Sequence, residues 1–389
     1  MKRAAAFLLA LAPLSAQQLA VLGETVYTMA GAPLRNGVVL IRDGKVERVG
    51  PAASTPVPPG TTVLRAKVVT PGLVDAHSVV GLTGYLNQAH DQEQVERSAP
   101  LQPELRAIDA YDSSERLVEY VRSLGVTTLH TGHGPGALMS GQTMIVKTVP
   151  GAVLRPAAMI AATFGDSAKG ERQPGTRGRM MALLRGELIK AQDYAKKMEN
   201  ADATKRPARD LRMDALAALL KGEMPLLVTV HRAHDIATAL RVGKEFGLKL
   251  VLDGVADAPL MLAEIKQSGY PVIVHPTMQR SGGETDNLSL ETASKLRAAG
   301  IPFALQSGFE SYVPKTRVVL FEAAVAAANG LTFEQALASI TIDAAKLLGI
   351  DRRVGSLETG KDGDVALYDG DPFEYATHCT GVVVDGRVR

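Results

Sequence analysis

The chain has 389 residues, 46% of them hydrophobic and 22% charged, a mix that supports one large core plus a small accessory domain. Its formal net charge is only +2, aromatic residues make up 4% and Trp is absent, so the basic stripe with stacking rings that a nucleic-acid surface needs is missing. The longest unbroken apolar run, Ala4 to Leu14, falls short of the roughly 20 residues that span a bilayer, which argues against membrane insertion.

That run follows Lys2-Arg3 and ends at Ser15-Ala16 before Gln17-Gln18. A basic start, a short apolar centre and a small-residue end predict a signal peptide over 1–16, and hence an exported, periplasmic or secreted protein. The single cysteine, Cys379, cannot form an internal disulfide, so the fold has to stand without one.

Residues 19–67 read as strands separated by turn signals, with Asp43-Gly44 closing a hairpin between Val39-Leu-Ile41 and Val46-Glu-Arg-Val49. From Val68 the pattern changes to short apolar runs alternating with helical periods. Leu226–Val230 reads as a strand followed by a helix over Asp235–Phe246. Leu248–Leu252, Pro271–Val274 and Ile301–Leu305 read as further strands, and Gly247 and Gly300 as helix stops. Repeated β-α units over 68–354 predict an α/β fold closed as a (β/α)8 TIM barrel. Residues 170–222 read as a helical excursion on it. Strands return after Gly355, and 355–389 is expected to join 19–67 in one small β-sandwich.

In a parallel barrel the chemistry sits where strands end. The polar residues at those positions are Asp75 and His77; His130, with His133 in the glycine-rich loop beyond; His231 and His234; Asp253; His275; and Gln306, Ser307 and Glu310. Histidines and carboxylates converging on one barrel mouth suggest a metal site, whereas any one of them alone reads equally as a hydrogen-bonded structural residue.

Val69-Thr-Pro-Gly-Leu-Val-Asp-Ala-His77 resembles the first-strand signature of the amidohydrolase superfamily, the imidazolonepropionase-like metal-dependent hydrolases. Thr341–Gly349, Val354–Tyr368 and the hairpin Ile41–Gly50 carry the same resemblance at the two chain ends. It implies a barrel holding one or two divalent metals and hydrolysis of amide-like, often cyclic, C–N bonds by metal-activated water. Carried over by position, the resemblance keeps His77 and His231. It puts Val79 where the second first-strand histidine belongs, Asp253 where the sixth-strand histidine belongs, and Gly308 where the eighth-strand aspartate belongs. Lys147 is a weak counterpart of the bridging lysine.

The expectation is therefore a single divalent ion, zinc first, on His77, His231 and Asp253. Asp253 and Glu310 are the candidate catalytic groups, and His130, His133 and His275 line the small-molecule substrate. Two readings stand: a hydrolase of non-peptide C–N bonds, and a catalytically inactive relative that binds a ligand or partners an active homologue, as a homo- or hetero-oligomer.

Overall fold

A computed structural model describes residues 18–86, 88–277, 279, 281–308 and 319–389. The expected leader at 1–16 and Glu310 lie outside these described residues. Among the described residues no helix is long and apolar enough to cross a membrane.

The two chain ends share one sheet. From the N-terminal side come β1 (Gln18–Val26), β2 (Leu34–Arg42), β3 (Lys45–Pro51) and β4 (Thr62–Pro71). From the C-terminal side come β15 (Val365–Tyr368), β16 (Cys379–Val384) and β17 (Arg387–Val388). Their order is β17-β16-β15-β4-β1-β2-β3, so the pairings link all seven strands. The chain ends meet where β15 runs antiparallel to β4, with Val69 opposite Leu367. The β2–β3 hairpin forms at Asp43-Gly44, both in the left-handed region at φ 51° and 79°, which this short turn requires. Leu19, Val21, Val39, Ile41, Val69, Val365 and Leu367 form a core cluster on this sheet.

The body between these ends is mixed α/β. Its strands are β5 (Leu73–Ser78), β6 (Val126–Thr131), β7 (Met139–Gln142), β8 (Met144–Lys147), β9 (Val153–Arg155), β10 (Ile160–Thr163), β11 (Leu226–Val230), β12 (Leu250–Gly254), β13 (Val272–Val274) and β14 (Phe303–Ala304). β5 runs parallel to β6, and β10 to β14 run parallel in sequence order. The expected run of parallel strands breaks at one place. β8 pairs antiparallel with β6, and β7 pairs antiparallel with β10. Only Thr143 separates β7 from β8, so this stretch crosses from one sheet to the other in reversed direction. The reason is local: no helix lies between β6 and β7, and a connection of seven residues is too short for a parallel crossover. At the other edge the Ala76 amide donates to the Leu305 carbonyl and the Gly308 amide to the His77 carbonyl, both at 3.3 Å. The strands from β5 round to β14 thus meet again at β5.

The helices are α1 (Arg116–Ser123), α2 (Arg177–Met198), α3 (Leu211–Leu220), α4 (Ala233–Phe246), α5 (Leu262–Ser268), α6 (Thr292–Ala299), α7 (Val319–Ala328), α8 (Phe333–Ser339) and α9 (Ile342–Leu347). Gly247, Gly269 and Gly300 end α4, α5 and α6 in the left-handed conformation that only glycine adopts without strain. The excursion at 170–222 is the α2–α3 pair, held by the Tyr194 hydroxyl donating to Asp214 at 2.8 Å.

Strand alternation sorts the side chains. Leu226, Val228, Leu250, Leu252, Val272 and Phe303 belong to the large cluster that also contains helix residues. Val74, Ala76, Ile145, Leu227, Val251, Ile273 and Ala304 form a second cluster. Two residues further along the same faces come Thr229, Asp253 and Gln306. A polar layer therefore lies one step beyond an apolar floor, toward the C-terminal ends of β11, β12 and β14.

Candidate active site

Asp253 is the centre of that layer. It is buried, and both of its oxygens are engaged. The Thr229 hydroxyl donates to Oδ2 at 2.6 Å and the Gln306 amide nitrogen donates to Oδ1 at 2.8 Å. The same Gln306 nitrogen donates to the Val274 carbonyl at 3.0 Å. Two acceptors on one terminal atom fix that atom as the NH2 and settle the orientation of the amide. His77 Nδ1 lies 3.3 Å from Asp253 Oδ1 as an ion pair, without the alignment of a hydrogen bond, and both ring nitrogens of His77 lack a hydrogen-bond partner. Burial alone would depress the His77 imidazole, but the facing Asp253 carboxylate outweighs it and moves the pKa upward. Burial opposes ionisation of Asp253 as well; the His77 charge and the Thr229 and Gln306 donors prevail, so its pKa falls.

His77 is itself positioned from below. Its backbone amide and that of Ser307 donate to Asp75 Oδ1 at 3.3 and 3.1 Å, which ties β5 to the segment after β14. Burial pushes the Asp75 carboxyl up to about 7. His231 follows β11 and packs against the backbone of Gly254, where a Cβ would stand 2.6 Å from its ring; Gly254 is at φ +86°. His231 Nδ1 is buried without a partner, and desolvation lowers the His231 pKa. His77, Thr229, His231, Asp253 and Gln306 all line one cavity of about 40 Å³, together with Val79, Pro276 and Gly308. A water needs at least about 10–15 Å³ and a bound small molecule about 300 Å³ or more, so this space holds a water or a reacting group, not a whole substrate.

The other histidines are placed differently. His130 Nδ1 faces the Ala76 carbonyl at 2.6 Å and Nε2 faces the Thr143 hydroxyl at 2.7 Å, so Nδ1 donates and Nε2 accepts. Burial and the neighbouring His77 hold its pKa down at about 3. Neutral and doubly bonded, His130 is a brace between β5, β6 and Thr143; its ring centroid is 5.8 Å from that of His77. His275 is likewise tied at both nitrogens, to the Pro276 carbonyl at 3.1 Å and to Thr292 on α6 at 3.0 Å. Neither has a free nitrogen to offer a substrate. His133 is buried with both nitrogens unpartnered and a pKa lowered to about 4 by desolvation, but it packs beside Gly141 and does not line the cavity. His234 sits on α4 beside Asp235 at 3.3 Å.

Lys147 is the clearest departure from expectation. It lies opposite Thr128, near the start of β6 and away from the cavity. Its ammonium meets Asp362 at 2.7 Å, Asp364 at 3.0 Å and Asp385. It joins the body to the seven-stranded sheet and bridges no metal. Gly308 is also explained: at φ +73°, a Cβ there would stand 2.2 Å from the Pro276 ring, so this backbone leaves no room for a side chain.

A catalytic zinc ion takes three protein donors. Among the described residues no group of three or more His, Cys, Asp or Glu side chains is placed to hold one. Asp253 meets hydrogen-bond donors at both oxygens. His77 and His231 offer free nitrogens but no third donor joins them. The described residues thus do not fit a resident metal, and His77, His231 and Asp253 are neighbours around a cavity without forming a ligand set.

An α/β body with a small sheet built from both chain ends, and His and Asp residues gathered at the C-terminal ends of its strands, defines a class of hydrolase-type folds. Comparison with known proteins narrows it. The sequence profile of the amidohydrolase family matches residues 274–389. Imidazolonepropionase from Rhizorhabdus wittichii is 26% identical over 375 residues, covering 88% of this chain and 91% of that protein. A crystal structure of an amidohydrolase from Thermotoga maritima superposes with a TM-score of 0.89 at 29% identity, covering 95% of this chain and 99% of that one. A zinc-bound adenosine deaminase from Xanthomonas campestris shares the fold alone, with a TM-score of 0.55 at 15% identity, covering 95% of this chain and 92% of that one. These similarities support placing the chain in the amidohydrolase superfamily.

Thr229 is a site residue that sequence reasoning missed, and Gln306 was seen but given no role. Gln306 stood among the polar residues after strands, and Thr229 hid inside an apolar strand. The signal for both was the period of two: each lies two residues beyond a member of the apolar floor, Leu227 and Ala304.

Proposed function

We propose that the protein hydrolyses an amide-like, non-peptide C–N bond of a small molecule at the cavity between His77, His231 and Asp253. The observation that carries this reading is the convergence of two imidazoles with unpartnered nitrogens and one buried carboxylate on a single space of water size, in a chain of this superfamily. In this reading the ring of strands is the superfamily's eight-stranded barrel with its third strand reversed, residues 19–67 and 355–389 form its small domain, and the leader exports the protein.

The chemistry follows from the side chains present. A water in the cavity attacks the carbonyl carbon and passes its proton to His231, which burial keeps neutral. The oxyanion that forms is met by His77, held protonated by Asp253. His77 then gives its proton to the departing nitrogen as the C–N bond breaks, and proton exchange with His231 restores both. Thr229 and Gln306 keep Asp253 ionised and facing His77. The body of the substrate lies beyond the cavity, on the side of Val79, Pro276 and Gly308.

The test is hydrolysis of a panel of lactams, cyclic imides and N-acyl amino acids, followed by mass spectrometry. Turnover by the native protein with loss of about 100-fold or more in His77→Ala is expected, the size of a general acid–base contribution. Turnover that is unchanged in a folded His77→Ala protein would move the reaction elsewhere.

A further inference from the structure

The superfamily's hydrolases are generally metal-dependent, yet the donor chemistry around Asp253 points the other way. Each Asp253 oxygen receives a hydrogen: Oδ2 from the Thr229 hydroxyl at 2.6 Å, Oδ1 from the Gln306 amide at 2.8 Å. The Gln306 donor cannot turn into an acceptor cheaply. The Gln306 amide is locked by its second bond to the Val274 carbonyl at 3.0 Å, so a flip would set two carbonyl oxygens against each other and leave the Asp253 carboxylate facing a third. The remaining neighbour of Oδ1 is the His77 ring, with Nδ1 at 3.3 Å.

The donor count gives a second, independent argument. The other carboxylate close by, Asp75, is directed at the backbone amides of His77 and Ser307. The positions that would supply more donors do not: Val79 has none, and the backbone at Gly308 excludes a side chain.

We infer that the described residues of this pocket do not hold a resident divalent ion: the locked Gln306 NH2 faces Asp253 Oδ1 where a further ligand would be needed, and neither Val79 nor Gly308 adds a donor. The inference rests on the hydrolase reading and deepens it by assigning the activation of water to this chain's own side chains.

The experiment is metal content of the full chain, by plasma mass spectrometry, after incubation with excess zinc or manganese and desalting. The native protein is expected to retain less than about a tenth of an equivalent, far below the full occupancy of a structural or catalytic zinc site. Its unfolding midpoint should not move on adding EDTA. Gln306→Glu replaces the locking donors with a second carboxylate beside Asp253 and His77, and is expected to gain close to one equivalent of zinc. Retention of half an equivalent or more by the native protein, lost in both His77→Ala and Asp253→Asn, would overturn the inference. So would a folded Gln306→Glu protein that gains nothing. Metal retained equally by the native protein and both variants lies elsewhere on the chain and supports it. Metal content is read without turnover: a metal-free protein that hydrolyses nothing refutes the hydrolase reading and leaves this inference standing, and a metal-loaded active one does the reverse.

Discussion

Replacing Lys147 by Met tests the account of the lysine and of the joint between the two parts of the chain. Lys147 is buried, and its ammonium is shared by Asp362, Asp364 and Asp385. The three carboxylates are not equally exposed to its loss. Asp362 keeps Arg353 at 2.8 Å and also Lys45, and Asp385 is partly solvated. Asp364 is buried and keeps only the Asp385 amide at 2.8 Å. Removing one partner of a buried pair costs about 3–5 kcal/mol, because a charge is left without compensation. The cost is capped by protonation. Burial already raises Asp364 to about 6 with Lys147 in place, and without the lysine it rises further. The sign follows: a carboxyl whose folded pKa exceeds its unfolded value stabilises the fold below the unfolded value and loses that contribution as pH rises through the folded one. The destabilisation of Lys147→Met is therefore greatest at pH 8, about 3–5 kcal/mol, and shrinks by half or more at pH 5, where Asp364 is protonated in both proteins. Urea unfolding followed by circular dichroism at the two pH values measures it. A change below about 1 kcal/mol at pH 8, or one independent of pH, would refute the reasoning.

Three further outcomes follow from the site. Gly308→Ala forces a side chain into a left-handed backbone against the Pro276 ring, and should lower stability by about 2 kcal/mol in urea unfolding; Gly308→Asp should not raise turnover, since the loop has no room for the carboxylate. His275→Ala should lower stability by about 1–3 kcal/mol through its two lost hydrogen bonds, yet leave KM within about twofold, because both ring nitrogens are already engaged. His130→Ala should also destabilise, by breaking the bonds to Ala76 and Thr143, with KM again unchanged in the folded fraction.

Much of the architecture was legible because it rests on local rules. Helix ends followed from Gly247 and Gly300, and the Asp43-Gly44 hairpin from its turn residues. The reversed strand at 139–147 was not legible: an apolar strand reads the same in either direction, and only the short connection from β6 hinted at it. At the site, the convergence of His77, His231 and Asp253 followed from their positions at strand ends. The roles of His130 and His275 did not, because a buried histidine's work depends on what its two nitrogens meet, here the Ala76 and Pro276 carbonyls and two threonines. Lys147 stood in a strand of the right sort but at the wrong end of it, a distinction that strand direction alone decides.

The most direct measurement of the central claim is kcat for Asp253→Asn on the best substrate of the panel, with 18O-labelled water and with the native and variant proteins matched by circular dichroism. The account expects label in the acid product of the native enzyme and a kcat lowered by about 100-fold or more in the variant, since the amide keeps the shape but no longer holds His77 charged. A variant that turns over at the native rate would show that the His77–Asp253 pair is not where the C–N bond is broken.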